Sequence, residues 1–184
     1  MAVSSANIEL GTLAPKFILL DTVSGKMISL DQLKSDKATV VMFICNHCPY
    51  VKHINNGVVK LANDFIAKGI SFVAISSNDV VNYPEDSPEK MKELAEQIKL
   101  PFPYLYDETQ EVAKAYGAEC TPDIYVFDKE LKLIYHGQFD DSRPGNNIPV
   151  TGKDLRAVLN NVLEGKPVDT HQIPSIGCSI KWKK

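Results

Sequence analysis

The chain has 184 residues, 44% of them hydrophobic and 23% charged, with a formal net charge of -3, proportions that suit one globular domain with a substantial core. Its 20 basic residues are scattered rather than gathered in a stripe, which removes the electrostatic reason to expect a nucleic-acid partner. No apolar run approaches the ~20 residues of a membrane span, and the leader MAVSSANIELG has neither a basic nor an apolar region, so the expectation is a cytoplasmic protein without membrane contact.

Ala14 to Leu20 and Lys26 to Leu30 flank Thr22-Val23-Ser24-Gly25 and read as two short strands with a turn, covering a sheet edge. Ala38 to Cys45 (ATVVMFIC) is a nearly continuous apolar run, as expected of a central strand buried on both faces. Pro49 then suits a first helical turn, and Val58, Ala62, Phe65 and Ile66 recur at helical spacing up to a stop at Gly69. Ile70 to Ile75 is the next buried strand, completing a βαβ unit. Ser87-Pro88 opens an amphipathic helix carrying Met91, Leu94, Ala95 and Ile98. Asp107 caps a short helix that ends at Gly117. Asp123 to Phe127 and Leu131 to Tyr135 form a hairpin across Asp128-Lys129-Glu130. Thr151 with Asp154 resembles a capping box before a last helix through Leu155, Val158, Leu159 and Val162, closed by Gly165. From 166 to 184 an apolar tail with Ile173, Ile176 and Trp182 is expected to dock on the domain.

In a reducing compartment four cysteines of irregular spacing make a poor disulfide framework and point to catalysis or metal binding. The motif is Cys45-Asn46-His47-Cys48, set where a strand meets a helix. There the partial positive charge and free N–H groups of the helix end favour thiolate over thiol. On this reading Cys45 is the attacking thiol with a depressed pKa, Cys48 the resolving thiol, and His47 a cation that tunes the pair. Two other readings stay open: a zinc clip, which lacks a second pair of ligands at metal spacing, and two inert buried cysteines.

The order of elements from about Gly11 to Leu163, the CxxC at a strand-helix junction and Thr121-Pro122 before a strand resemble the thioredoxin-like superfamily, in its redoxin branch of peroxiredoxin-like proteins. The segments CNHCPYVKHI, DDSRPGNNIPVTGKDLR and PSIGCSIKWK resemble a peroxiredoxin-like subgroup of that branch. The resemblance implies an α/β thioredoxin fold, a central mixed sheet flanked by helices, with an N-terminal β extension and a helical insertion. It also implies that Pro122 is a cis-proline facing the dithiol and that Thr121 offers backbone groups to an extended substrate. The loop from Gly137 to Val150 would border the same face. Two features depart from the pattern: Cys45 stands where a peroxidatic cysteine at Cys48 would have Thr or Ser three residues earlier, and Thr39 replaces thioredoxin's buried acid.

The expected function is thiol-disulfide exchange through a mixed disulfide, with no cofactor and no metal. Protein or small-molecule thiols and disulfides would be its substrates, and thioredoxin or glutathione its reductant. A thiol peroxidase and a non-catalytic, zinc-holding module are the alternatives. Cys120 and Cys178 are candidate additional redox thiols, and Arg143 is expected in an ion pair with Asp140 or Asp141.

Overall fold

The computed structural model describes residues 2–184. Its main sheet has seven strands in the order β3-β2-β6-β5-β4-β8-β9: β2 (Ile18–Asp21), β3 (Met27–Ser29), β4 (Ala38–Phe43), β5 (Ser71–Ser76), β6 (Tyr104–Tyr106), β8 (Asp123–Asp128) and β9 (Leu133–Gly137). β4 is parallel to β5 and antiparallel to β8, so it lies at the centre, as its unbroken burial requires. Alternate side chains of a strand point to opposite faces. Val40 and Met42 accordingly join one core layer, with Val51, Leu61, Phe65, Leu155 and Leu159. Val41 and Phe43 join the other, with Leu105, Tyr116, Tyr125 and Phe127.

Among the described residues five α-helices punctuate the sheet: α1 (Leu30–Leu33), α2 (Pro49–Ile66), α3 (Pro88–Gln97), α4 (Glu111–Tyr116) and α5 (Lys153–Leu163). The expected central elements are present. α3 starts as the sequence suggests, with Ser87 accepting from the Lys90 amide and Pro88 in the first turn. Asp107 accepts the amides of Val112 and Ala113, fixing α4. α5 differs from the expected capping box: Gly152 is its N-cap with φ 66°. The buried carboxylate of Asp140 takes the Thr151 and Gly152 amides at 2.7 and 2.6 Å, and Asp154 instead receives the Gln138 side chain. A residue remote in sequence displaces the local cap.

The sequence gives no sign of a second, three-stranded sheet, ordered β1 (Ala2–Ser4), β10 (Ile176–Ser179), β7 (Cys120–Thr121). The residues of the tail thus form a strand clasped between the N-terminal segment and the approach to Pro122, with Cys178 opposite Thr121. Among the described residues no helix is long and apolar enough to cross a membrane.

Candidate active site

β4 ends at Phe43, opposite Asp123 of β8, and the two strand ends bring the CxxC loop against Thr121-Pro122. That peptide bond is cis. The Cys45 sulfur lies 3.3 Å from the Thr121 hydroxyl, and the Cys48 sulfur 3.2 Å from the Thr121 carbonyl oxygen. Cys48 is the N-cap of α2, with Pro49 in the first turn. Both cysteines are buried, at 1% and 0% exposure, and neither is disulfide-bonded. The exposed attacker expected at Cys45 is therefore covered in this state.

The two thiols are neighbours on either side of Thr121, and their surroundings are unequal. Cys48 meets the amide of Val51 in the first turn of α2, together with the thiol and amide of Cys178, and with the Cys45 thiol as the strongest donor it is brought from an ordinary 9.0 down to about 4. Donation to Cys48, burial and the charge of Asp86 push Cys45 far up. The Thr121 carbonyl is the contact that favours the protonated form of Cys48, and the donors around that sulfur outweigh it. Of the two sulfurs Cys48 is the one whose thiolate is favoured, first by the Cys45 donor and then by Cys178 and the Val51 amide.

Asp86, fully buried, is a site residue that the motif does not announce. It follows β5 in a single 3₁₀ turn (Pro84–Asp86). One carboxylate oxygen accepts the Asn46 and His47 amides at 2.7 and 3.2 Å. The other lies 2.6 Å from His47 Nδ1 and accepts from the Asn78 side chain at 2.8 Å. The His47 ring also stacks on Tyr83, and Tyr104 donates to the Asn46 side chain. The His47 ring is thus held by the Asp86 carboxylate. Cys45, His47 and Asp86 present donor atoms within 4.8 Å of one another, one ligand short of a closed zinc site, and the Asp86 oxygens are already engaged.

The remaining candidates separate. Cys120 is fully buried, donates to the Pro122 carbonyl at 3.7 Å, and is held protonated by burial and by Asp123. Cys178 stands beside the dithiol. Among the described residues Arg143 makes no ion pair: its guanidinium donates to the carbonyls of Asp140 and Ser142 and to the Gln138 side chain, while Asp141 pairs with Lys153. Arg143, Tyr50, Ile54, Pro122 and Ile176 line one depression, so the loop after β9 does border the active face. His53 bonds Ser142, and His136 bonds the buried Asp123 at 2.8 Å, partners supplied only by folding.

The AhpC/TSA family pattern matches residues 10–136. A thiol-disulfide oxidoreductase ResA of Bacillus thuringiensis is 26% identical over 126 residues, covering 68% of each chain. Among solved structures, an uncharacterized conserved protein from Geobacillus kaustophilus is 62% identical with a TM-score of 0.98, covering 100% of this chain and 97% of its own. The thioredoxin domain of a Bacteroides vulgatus thiol-disulfide oxidoreductase shares the fold at 23% identity and a TM-score of 0.58, over 71% of this chain and 89% of that one. The central mixed sheet with its flanking helices is thus a thioredoxin fold, and the chain belongs to the AhpC/TSA family of thioredoxin-like redoxins.

Proposed function

We propose that this protein is a thiol-disulfide oxidoreductase whose working group is the Cys45-Cys48 dithiol. The observation that carries the reading is the placement of both sulfurs, where a strand meets α2, against Thr121 of the cis Thr121-Pro122 peptide at 3.3 and 3.2 Å. The Cys48 thiolate attacks a substrate disulfide, forms a mixed disulfide and releases the substrate's other half as a thiolate. Cys45 then gives up its proton, attacks the Cys48 sulfur and releases the second substrate thiol, leaving a Cys45–Cys48 disulfide. Glutathione or a thioredoxin-type dithiol restores the reduced pair by the reverse steps. This order of attack, Cys48 before Cys45, reverses the one expected from the sequence; the donors around the Cys48 sulfur are what support it.

Equilibration in graded glutathione buffers, with peptide mapping of each alkylated cysteine, is the test. The expected product is a Cys45–Cys48 disulfide, and in a chain carrying both Cys45→Ser and Cys178→Ser a persistent Cys48–glutathione adduct. Absence of the Cys45–Cys48 bond across the whole series would refute the reading. Hydrogen peroxide should be consumed weakly, since Cys45 stands where the peroxidase pattern has a hydroxyl.

A further inference from the structure

The strand β10 holds a place that neither the dithiol chemistry nor the core requires. Its Cys178 pairs in register with Thr121, and Ser179 with Cys120. These are the residues that lead into Pro122, so β10 occupies the edge an extended substrate would use to reach the sulfurs. Gly177 crosses so close that a Cβ there would lie 1.9 Å from the Thr121 carbonyl oxygen. β1 backs the strand from its other side, and the Ile180 amide bonds the Glu119 carbonyl at 2.9 Å. Cys178 packs on the same apolar cluster as Cys45 and Cys48. The Cys48 sulfur therefore stands between two thiols, one from its own loop and one from the C-terminal strand.

We propose that Cys178 is a third exchange thiol that captures Cys48, and that the resulting Cys48–Cys178 disulfide latches the C-terminal strand across the substrate edge. The proposal rests on the reading of the dithiol as an exchange centre. Starting from the Cys45–Cys48 disulfide, the Cys178 sulfur loses its proton and attacks Cys48. A Cys48–Cys178 bond forms, the Cys45–Cys48 bond breaks, and the electron pair leaves on Cys45, which takes up a proton. The two disulfides are at one oxidation level, so no further oxidant enters. In the reduced protein burial and the neighbouring Cys48 hold Cys178 up at about 11, and conversion of Cys48 into a disulfide removes that neighbouring charge.

The experiment oxidises the full-length chain with glutathione disulfide, quenches in acid, alkylates and maps the peptides. A Cys48–Cys178 peptide with alkylated Cys45 is expected in about one oxidised chain in ten or more, the ratio set by an isomer gap of ~1.4 kcal/mol. In Cys178→Ser the oxidised protein should no longer expose an alkylatable Cys45. In Cys45→Ser the glutathione first attached to Cys48 should be released as Cys178 replaces it. If wild type forms only Cys45–Cys48 and Cys45→Ser keeps its glutathione with Cys178 free to alkylate, the latch is overturned while the exchange centre stands. If no disulfide forms at Cys48 at all, both are overturned.

Discussion

Asp86 adds to what keeps Cys45 protonated, behind its contact with Cys48 and its burial. Its carboxylate sits at the base of the CxxC loop, takes the two amides between the cysteines and lies beside Cys45. A fixed negative charge close to a thiol in a poorly solvated site disfavours its ionisation. Replacing Asp86 by Asn should leave acceptance from Asn46 and His47 largely intact while removing that charge. The Cys45 thiol should then titrate at lower pH, as read by site-resolved alkylation of the reduced protein. The new amide would face the Asn78 side-chain donor, and a buried pair of donors without acceptors costs ~1–3 kcal/mol, measurable by urea unfolding. An unmoved Cys45 profile would remove Asp86 from the account. Cys45→Ala makes the complementary change: it deletes the strongest donor to Cys48, so the Cys48 midpoint should rise by roughly a unit or more, ~1.4 kcal/mol per unit. Cys45 and Cys48 are legible in the sequence because a short spacing carries them, whereas Thr121 and Pro122 enter only through the family resemblance. Asp86 was not: within Pro84-Glu85-Asp86-Ser87 an acid looks like an ordinary companion of the helix that follows, and only packing brings it to residues some 40 positions earlier.

At the scale of elements, the same division holds between what is local and what is paired at long range. β4, α2, β5, α3 and the β8-β9 hairpin each carry their own periodicity or turn chemistry, and the structure has all of them. β6 and β7 are three and two residues long, too short for any alternation to register, and they exist because neighbouring strands supply partners. β10 is the instructive case. Its sequence Ile176-Gly177-Cys178-Ser179 looks like a loop because of the glycine, yet that glycine is what permits the strand to lie against Thr121. Gly177→Ala should therefore displace β10 from β7 rather than merely crowd it, since the obstructing atom is backbone and cannot rotate away. We expect the amides of residues 176–180 to exchange with solvent markedly faster and Cys178 to be alkylated on the order of tenfold faster in the reduced variant, as an opening cost lowered by ~1.4 kcal/mol requires. Unchanged exchange would mean that β10 shifts without detaching.

For the whole molecule the two thiols make folding and redox state depend on pH together. The folded-state pKa of Cys48 is depressed, so in the reduced protein its contribution to stability is full above the ordinary value of 9.0 and is lost as pH falls toward about 4. Cys45 is raised, so folding favours its neutral form: the associated stability is intact below the ordinary 9.0 and is lost above it. Between these limits the reduced site holds one thiol proton and one negative charge, whereas the Cys45–Cys48 disulfide holds neither. Two electrons should then travel with a single proton. The midpoint potential should fall by ~30 mV per pH unit between about pH 5 and 8, half the ~60 mV of a dithiol that takes up two protons on reduction. Glutathione-buffer titrations at several pH values, with thiol occupancy read by mass, give this slope directly. A slope near 60 mV would place both reduced cysteines in the protonated form and undo the assignment of charge to Cys48. In the double variant Cys45→Ser with Cys178→Ser, where a mixed disulfide with glutathione is the oxidised form, the protein should bring no thiol proton of its own to the couple over the same range.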